Sequence, residues 1–261
     1  MRRRASIFAV LALSSASVFA EEEKEPLKPP KALALLPIAP VIGKEITIQV
    51  RGDNLEAATE IRIASESGEL KLKPDEAKSG LPSVDKLSPK VAGVTLAKVT
   101  TTLPMVWKPG ELSVTVTTPG GETTALTTRM FADNALIPEK EPNGGFHDAQ
   151  PVDLASQQLL TGVINSANDV DVFRIDAKTG ESFRIETFAN RGGSLIDPYL
   201  TIFSSSGQLL MEVDDSDGHR DAIFEITASE DGPIFVVLQD AHRYGSEWHT
   251  WTLKIARKED S

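Results

Sequence analysis

The sequence predicts an all-β protein made of two β-sandwich domains in series. Short segments in which apolar and polar residues alternate recur along the chain from residue 33 onward, and a period of two is the pattern of a half-buried strand. Turn residues separate these segments at short intervals, which is typical of sandwiches. No stretch carries an apolar repeat every 3.6 residues over the length of a helix. The 261 residues suffice for two domains of ordinary size.

The first twenty residues (1–20) have the features of a secretory signal peptide. Arginines at positions 2–4 precede a short apolar run over residues 7–13, and small residues lead to the cleavage position. The apolar run is too short for a membrane-spanning helix, which needs about 20 apolar residues. We therefore expect export to the periplasm or the extracellular space, without membrane insertion. The charged, Pro-rich residues 21–31 are expected to form a disordered leader.

Charge and cysteine content exclude several classes of function. The formal net charge is −11 at pH 7, so nucleic acids and anionic membranes would repel the chain. An acidic surface is compatible with cation binding. There is no Cys, which excludes disulfides, thiolate metal sites and a cysteine nucleophile.

The first domain is expected over residues 32–132. Alternating segments predict strands at residues 45–51, 61–63, 112–116 and 123–130. The Pro-Gly-Gly turn at residues 119–121 joins the last two as a hairpin. Residues 66–90 are rich in Pro, Lys, Asp and Ser, and are expected to form a long loop.

The opening of this domain carries a loose motif. A Pro-containing segment at residues 33–40 precedes Gly43 and the run Lys-Glu-Ile-Thr-Ile, and Val-Arg-Gly-Asp-Asn-Leu then occupies residues 50–55. In this order the segments resemble an immunoglobulin-like domain of the IPT/TIG kind. The resemblance implies a sandwich of short antiparallel strands.

A change in composition at residues 133–142 predicts a linker to a second β domain over residues 143–257. The candidate strands of this second domain are short and evenly spaced, which suggests a sandwich or jelly roll. They are residues 159–164, 170–176, 182–188, 199–204, 209–213, 222–227, 234–239 and 248–255.

Five segments of the second half carry a family resemblance. They are EKEPN at 139–143, NDVDVF at 168–173, GSLIDPYL at 193–200, SGQLLMEVDD at 206–215 and EDGPIFVVL at 230–238. In that order they resemble the bacterial pre-peptidase C-terminal (PPC) domain, a jelly-roll-like β-sandwich appended to secreted enzymes, over residues 139–256. The resemblance implies an accessory module that aids secretion, folding or substrate contact.

Two acidic segments form a candidate metal site. Glu139, Glu141 and Asn143 alternate, as do Asp169 and Asp171, so in an extended chain each set shares one side. Carboxylate and amide oxygens are ligands that Ca²⁺ prefers. A solvated, loop-capping role is the alternative.

The PPC resemblance also implies calcium. Collagen-binding modules of clostridial collagenases, which belong to this domain class, bind Ca²⁺ with an acidic segment similar to residues 139–143 and with Asp residues near the positions of Asp169 and Asp171. Those relatives tend to have Asp after the Asn, where this chain has Gly144. We therefore expect Ca²⁺ to join residues 139–143 to Asp169 or Asp171, with one carboxylate fewer.

A second acidic run covers residues 214–218, with Asp221 beyond it. It is superficially similar to the start of an EF-hand, but the loop lacks the Glu expected at its twelfth position and the flanking helices. We interpret it as an Asx-rich turn between two strands.

The sequence contains no recognisable catalytic motif. Its four His lack the spacing of a helical zinc site. There is no Gly-x-Ser-x-Gly elbow and no Gly-rich nucleotide fingerprint. Paired carboxylates for glycoside hydrolysis stay open, because such pairs form only in space.

Three aromatic residues cluster near the C-terminus. Trp251 falls on the core side of the last strand, whereas Tyr244 and Trp248 lie in or beside a loop. These two are candidates for a binding platform, and capping one end of the sandwich is the alternative. The patterns together predict a non-catalytic, exported accessory or binding protein that contacts a protein or a polysaccharide. The competing hypothesis is a secreted hydrolase with an unrecognised active site.

Overall fold

The computed structural model describes residues 27–84, 86–156, 158–216 and 218–258. The predicted signal peptide, residues 21–26 of the predicted leader and Asp217 lie outside the described residues. The rest of the leader lies against the first domain, where Asn54 Nδ2 donates a hydrogen bond to the carbonyl oxygen of Pro29 at 2.9 Å. This part of the predicted leader therefore contacts the first domain. The fold is all-β, as predicted.

The first domain is a sandwich of two sheets. Its strands are β1 (Lys31–Leu36), β2 (Glu45–Asp53), β3 (Glu60–Ser65), β4 (Gly68–Leu72), β5 (Glu76–Lys78), β6 (Thr95–Thr102), β7 (Gly110–Thr118), β8 (Gly121–Glu122) and β9 (Leu126–Met130). One sheet has the order β1-β2-β6-β5, and the other has the order β4-β3-β7-β8 with β9 also paired to β7. A one-turn helix, α1 (Pro89–Ala92), precedes β6.

The predicted alternation places the core side chains of this domain correctly. Ile48 and Val50 of β2, Ile61 and Ile63 of β3, and Val114 of β7 are fully buried in one apolar cluster. Burying apolar surface of this kind contributes roughly 25 cal/mol per Å². The central strands of both sheets therefore follow directly from the period of two.

Residues 66–90 differ from the predicted loop. They contain β4, which pairs with β3, and β5, which pairs with β6. β6 itself was not predicted, because its first half is buried on both faces. Ala97 and Val99 enter the domain core, whereas Leu96 packs into a separate cluster with residues of the second domain. A strand buried on both faces loses the apolar–polar alternation.

The second domain is a sandwich of two five-stranded sheets. Its strands are β10 (Leu136–Pro138), β11 (Gln150–Pro151), β12 (Leu159–Val163), β13 (Asp171–Ala177), β14 (Ser182–Phe188), β15 (Pro198–Phe203), β16 (Leu209–Val213), β17 (Ile223–Thr227), β18 (Gly232–Asp240) and β19 (Thr250–Arg257). One sheet has the order β10-β12-β19-β14-β17, and the other has the order β11-β13-β18-β15-β16. A single 3-10 turn, Asn190–Gly192, follows β14.

All eight strands predicted for this domain are present, with ends within two residues of the prediction. Phe173 and Ile175 of β13, Ile185 of β14, Val236 of β18 and Trp251 of β19 are fully buried between the sheets. Phe173 and Trp251 meet edge to face, with ring centroids 5.5 Å apart, an arrangement that aromatic pairs favour.

The segment predicted as a linker, residues 133–142, belongs in part to this sandwich. It contains β10, which pairs in parallel with β12. The chain then passes to the opposite sheet, where β11 pairs in parallel with β13. We call the connection between them, residues 139–149, the crossover segment. The prediction missed β10 because a three-residue strand is too short to show a period.

The two sandwiches pack against each other. The guanidinium of Arg51 donates to the carbonyl oxygens of Ala92 and Gly93 at 2.9 and 3.1 Å, and lies 5.9 Å from the ring centroid of Trp248. The N–H of Leu35 donates to the carbonyl oxygen of Gly193 at 2.9 Å. In the part of the chain that the structure describes, no helix has the length and apolar character needed to cross a membrane.

Candidate metal centre

The crossover segment and the start of β13 bring three carboxylates together. Glu139, Glu141 and Asp171 each offer an oxygen, and these oxygens lie within 4.8 Å of one another. Two backbone hydrogen bonds fix the segment in place: the N–H of Glu139 donates to Thr161 O, and the N–H of Val172 donates to Asn143 O, both at 2.9 Å. We call Glu139, Glu141, Asn143 and Asp171 the crossover cluster.

Glu139 is held by one of its two carboxylate oxygens. Its Oε1 accepts a hydrogen bond from the N–H of Val163 at 2.7 Å. Its Oε2 is buried and has no hydrogen-bond donor among the described residues. The side chain fits only because residue 162 is Gly: a Cβ at Gly162 would lie 2.3 Å from the Glu139 carboxyl carbon and 2.4 Å from a ring carbon of Trp251.

Asp171 is completely buried. Its Oδ2 accepts a hydrogen bond from Trp251 Nε1 at 2.9 Å, so the indole of β19 fixes the carboxylate beneath the crossover segment. The Oδ1 atom is buried without a donor in the described part of the chain. One oxygen of this carboxylate is therefore anchored, and the carboxyl group also lies within hydrogen-bond reach of the Glu139 carboxyl.

Asn143 is also completely buried. Its N–H donates to Glu141 Oε2 at 3.0 Å, which fixes Glu141 at the surface end of the cluster. Both the Oδ1 and the Nδ2 atoms of Asn143 are buried without hydrogen-bond partners among the described residues. Leaving a polar atom in this state costs about 1–3 kcal/mol, so a site that concentrates several of them calls for a ligand.

Burial and like charge act together on these carboxyl groups. Burial, followed by the neighbouring charges of Glu139 and Asp169, raises the pKa of Asp171 to about 9. Burial also raises the pKa of Glu139, against the hydrogen bond from the Val163 N–H. No Lys or Arg in the described ranges forms an ion pair with either group or with Glu141. Two arrangements would remove the repulsion between the Glu139 and Asp171 carboxylates: a proton shared between them, or a bound cation.

Asp169 lies outside the group of converging carboxylates that contains Asp171. Its Oδ2 accepts a hydrogen bond from the N–H of Asn165 at 2.7 Å and so caps the turn before β13. It acts on the crossover cluster through its charge, which raises the pKa of both buried carboxyls. Of the two aspartates offered by the sequence, only Asp171 joins the converging oxygens.

Gly144 leaves room for the carboxylate that this chain lacks. A Cβ at this position would meet the carbonyl oxygen of Val170 at 3.7 Å, which is an ordinary contact. The position is exposed, and its backbone is compatible with a side chain. Steric hindrance therefore does not explain the Gly.

The predicted aromatic platform requires a correction. Trp248 is only 4% exposed and packs with Leu195, Leu36 and Leu96 in the cluster between the two sandwiches. Its burial comes from contacts with the first domain, which the local sequence does not encode. Tyr244 is half-buried and stacks on the His242 ring at 5.7 Å.

The residues of the second acidic run lie in two different environments. Asp221 is fully buried and accepts hydrogen bonds from the N–H groups of Ala189, Asn190 and Arg191 at 2.8–3.0 Å, so it stabilises the 3-10 turn. Asp214 and Asp215 follow β16 and are exposed. Their carboxylates approach that of Asp197, which was not among the predicted site residues.

Comparisons with known proteins give weak similarities. No protein-family model and no curated protein matches the chain. Among solved structures, it is similar to PliG, a periplasmic lysozyme inhibitor of g-type lysozyme from Aeromonas hydrophila, with 16% identity, 42% of this chain and 96% of that chain covered, and a TM-score of 0.34. It is also similar to the pre-peptidase C-terminal domain of a collagenase from Bacillus anthracis, with 13% identity, 45% and 99% covered, and a TM-score of 0.33. A third similarity, to the Bacteroides ovatus glucan-utilization protein SGBP-B in complex with a mixed-linkage heptasaccharide, has 9% identity, 90% and 75% covered, and a TM-score of 0.25.

Proposed function

We propose that this protein is a non-catalytic, exported binding protein whose second sandwich, of the PPC type, is completed by Ca²⁺ at the crossover cluster. One observation carries the proposal. Glu139 and Asp171 each have a buried oxygen with no hydrogen-bond partner among the described residues, and one carboxylate oxygen of each lies within 4.8 Å of an oxygen of Glu141.

The ligand atoms select the kind of ion. Three carboxylates and the amide oxygen of Asn143 form an all-oxygen set, which suits a hard cation rather than zinc or copper. The ligand oxygens come from the crossover segment and from the start of a strand, so their spacing is irregular. Ca²⁺ accepts six to eight oxygens in flexible geometry, whereas Mg²⁺ demands near-octahedral positions. The set therefore favours Ca²⁺, with solvent at the outer positions beside the exposed Glu141.

A cation at this place would join the two sheets of the second sandwich. Glu139 and Glu141 belong to the segment that leaves β10 in one sheet, and Asp171 begins β13 in the other sheet. Binding would replace the repulsion between buried carboxyls by attraction to a shared ion. Because the unfolded chain does not form this site, the binding free energy adds to the stability of the fold.

The completed sandwich would serve as a contact module for a protein or a polysaccharide outside the cytoplasm. The net charge of −11 makes nucleic acid an unfavourable partner. Tyr244 is the remaining aromatic candidate for this contact, since Trp248 is buried between the domains.

Calorimetric titration of the metal-free protein with Ca²⁺ tests the metal half of the proposal. We expect binding heat, and a rise of several degrees in melting temperature when Ca²⁺ exceeds its Kd about 100-fold, which adds about 2.7 kcal/mol. Asp171→Asn should remove one bound Ca²⁺ per chain and most of the rise in melting temperature. The matched control is Asp176→Asn on the same strand, since the Asp176 side chain is 73% exposed. A wild-type protein that gives no heat and no thermal shift would refute calcium at this cluster.

Co-sedimentation with insoluble peptidoglycan and β-glucan tests the binding half. We expect the wild-type protein in a pellet without release of reducing ends or peptides into the supernatant. Tyr244→Ala should weaken retention, and Tyr199→Ala, the other Tyr of the chain, serves as the matched control. Product release would favour the secreted hydrolase instead, and absence from every pellet would contradict a polysaccharide partner.

A further inference from the structure

The register of β15 and β16 creates a second acidic cluster. The two strands are antiparallel, with Leu200 opposite Val213. Asp197, just before β15, therefore lies beside Asp214 and Asp215, just after β16. One carboxylate oxygen from each of the three lies within 4.8 Å of the others. We call these three residues the hairpin cluster.

Asp197 supplies an independent sign of a ligand. The residue is 8% exposed, and no described residue donates a hydrogen bond to either of its carboxylate oxygens. Its Oδ1 is buried without a partner in the described ranges. Arg220 and His242 approach the other oxygen, Oδ2, at 3.6 and 3.7 Å, which is too far for a hydrogen bond. Buried carboxylates are ordinarily hydrogen-bonded.

The backbone holds Asp197 in this position. Its N–H donates to Asp240 Oδ2 at 2.9 Å, and its carbonyl oxygen accepts from the N–H of Ala241 at 2.8 Å. The neighbouring Asp240 is itself fully used, because its Oδ1 accepts from the N–H groups of His242 and Tyr244, both at 2.9 Å. The Asp240 carboxylate therefore holds the backbone, whereas Asp197 is fixed in place while its Oδ1 has no partner among the described residues.

We propose that Asp197, Asp214 and Asp215 form a second site for a hard divalent cation. Of the divalent cations available outside the cytoplasm, we propose Ca²⁺. Asp197 is the buried ligand at the strand start, and the two exposed aspartates close over the ion from the end of β16. The ion would tie the start of β15 to the turn that follows β16. Arg220 and His242 partly neutralise Asp197, so this site binds the ion more weakly than the crossover cluster.

The choice of Ca²⁺ rests on the proposed location outside the cytoplasm, and the test keeps this site apart from the crossover cluster. Calcium titration calorimetry is carried out on the full exported chain carrying Asp171→Asn, in which the crossover cluster is disabled. We expect one remaining Ca²⁺ per chain. Adding Asp214→Asn and Asp215→Asn should weaken it by about tenfold or more. Both positions are exposed, so the fold should be retained.

Two further variants make the outcome decisive. The control pair Asp133→Asn and Asp176→Asn removes the same charge from positions whose side chains are 67% and 73% exposed, and should leave the Kd unchanged. Asp197→Asn should abolish binding while raising the melting temperature of the metal-free protein. The proposal is overturned if the Asp171→Asn protein gives no calcium heat, or if the control pair weakens binding as much as the hairpin pair does.

Discussion

The crossover cluster and the hairpin cluster contain the same number of carboxylates in different surroundings. The crossover cluster has a fully buried Asp171, buried Glu139 and Asn143 atoms without partners, and no ion pair to a Lys or Arg of the described residues. In the hairpin cluster only Asp197 is buried, and Arg220 and His242 lie within 4 Å of it.

The number of acidic residues therefore says little about whether a cluster needs a metal ion. Exposed carboxylates are satisfied by water, and charges in water interact weakly. A buried carboxylate without donors or counter-charge must take up either a proton or a cation. Glu139 and Asp171 have one hydrogen-bond donor each and no Lys or Arg partner among the described residues, whereas Asp197 has Arg220 and His242 within 4 Å. This difference in counter-charge sets the expected order of affinity of the two clusters.

Gly162→Ala should disable the crossover cluster and leave the hairpin cluster intact. The new Cβ would collide with the Glu139 carboxyl and with Trp251. We expect a loss of about 1–3 kcal/mol in the free energy of unfolding and loss of calcium binding at the crossover cluster, with the hairpin cluster unaffected. Gly145→Ala is the control, because a Cβ there meets no atom within 4 Å. Urea unfolding and calcium titration measure both effects, and normal calcium binding by Gly162→Ala would refute the assigned position of Glu139.

The two clusters should also differ in how they make the stability of the fold depend on pH. The folded pKa of Asp171 is raised to about 9, whereas an unfolded Asp titrates near 3.9. Between these values the unfolded chain has lost a proton that the folded chain keeps, so the metal-free protein should lose stability as pH rises from about 4 to about 9. Thermal unfolding across this range checks the slope.

Two variants sharpen this pH experiment. Asp171→Asn should flatten the slope, because the Asn does not titrate, while Trp251 Nε1 keeps an acceptor. Asp197→Asn should flatten it less: burial raises the pKa of Asp197, but Arg220 and His242 oppose this rise. Saturating Ca²⁺ should also remove most of the wild-type slope, and a slope of the opposite sign in the metal-free protein would contradict a protonated Asp171.

A smaller effect is expected from restoring the missing carboxylate. Gly144→Asp should tighten calcium binding at the crossover cluster by about tenfold, which corresponds to ~1.4 kcal/mol. Gly145→Asp adds the same charge one residue further on and should change the Kd much less. Titration calorimetry compares the two variants, and equal tightening by both would mean that general charge, rather than a ligand at residue 144, is responsible.

Local patterns predicted most of the second sandwich and much of its candidate metal site. β13, β14 and β19 each bury one face, so their alternation was visible in the sequence. The pairing of Glu139 with Glu141 was also predicted, because it depends only on an extended segment. The choice between Asp169 and Asp171 depended on burial beneath Trp251, which no local pattern reports.

Features that depend on distant contacts were missed. Asp197 joins Asp214 and Asp215 through the register of two strands, and register does not follow from either segment alone. Trp248 was expected near the surface, but the first domain covers it. The space for Glu139 depends on the absence of a side chain at Gly162 in a neighbouring strand. These features become visible only when the sheets are assembled.

A crystal structure of the protein grown with Ca²⁺, with an anomalous difference map, tests the central claim most directly. We predict a peak at about 2.3–2.6 Å from oxygens of Glu139, Glu141, Asn143 and Asp171. A map with no peak there at saturating Ca²⁺, and with a hydrogen bond between the Glu139 and Asp171 carboxyls instead, would contradict the account.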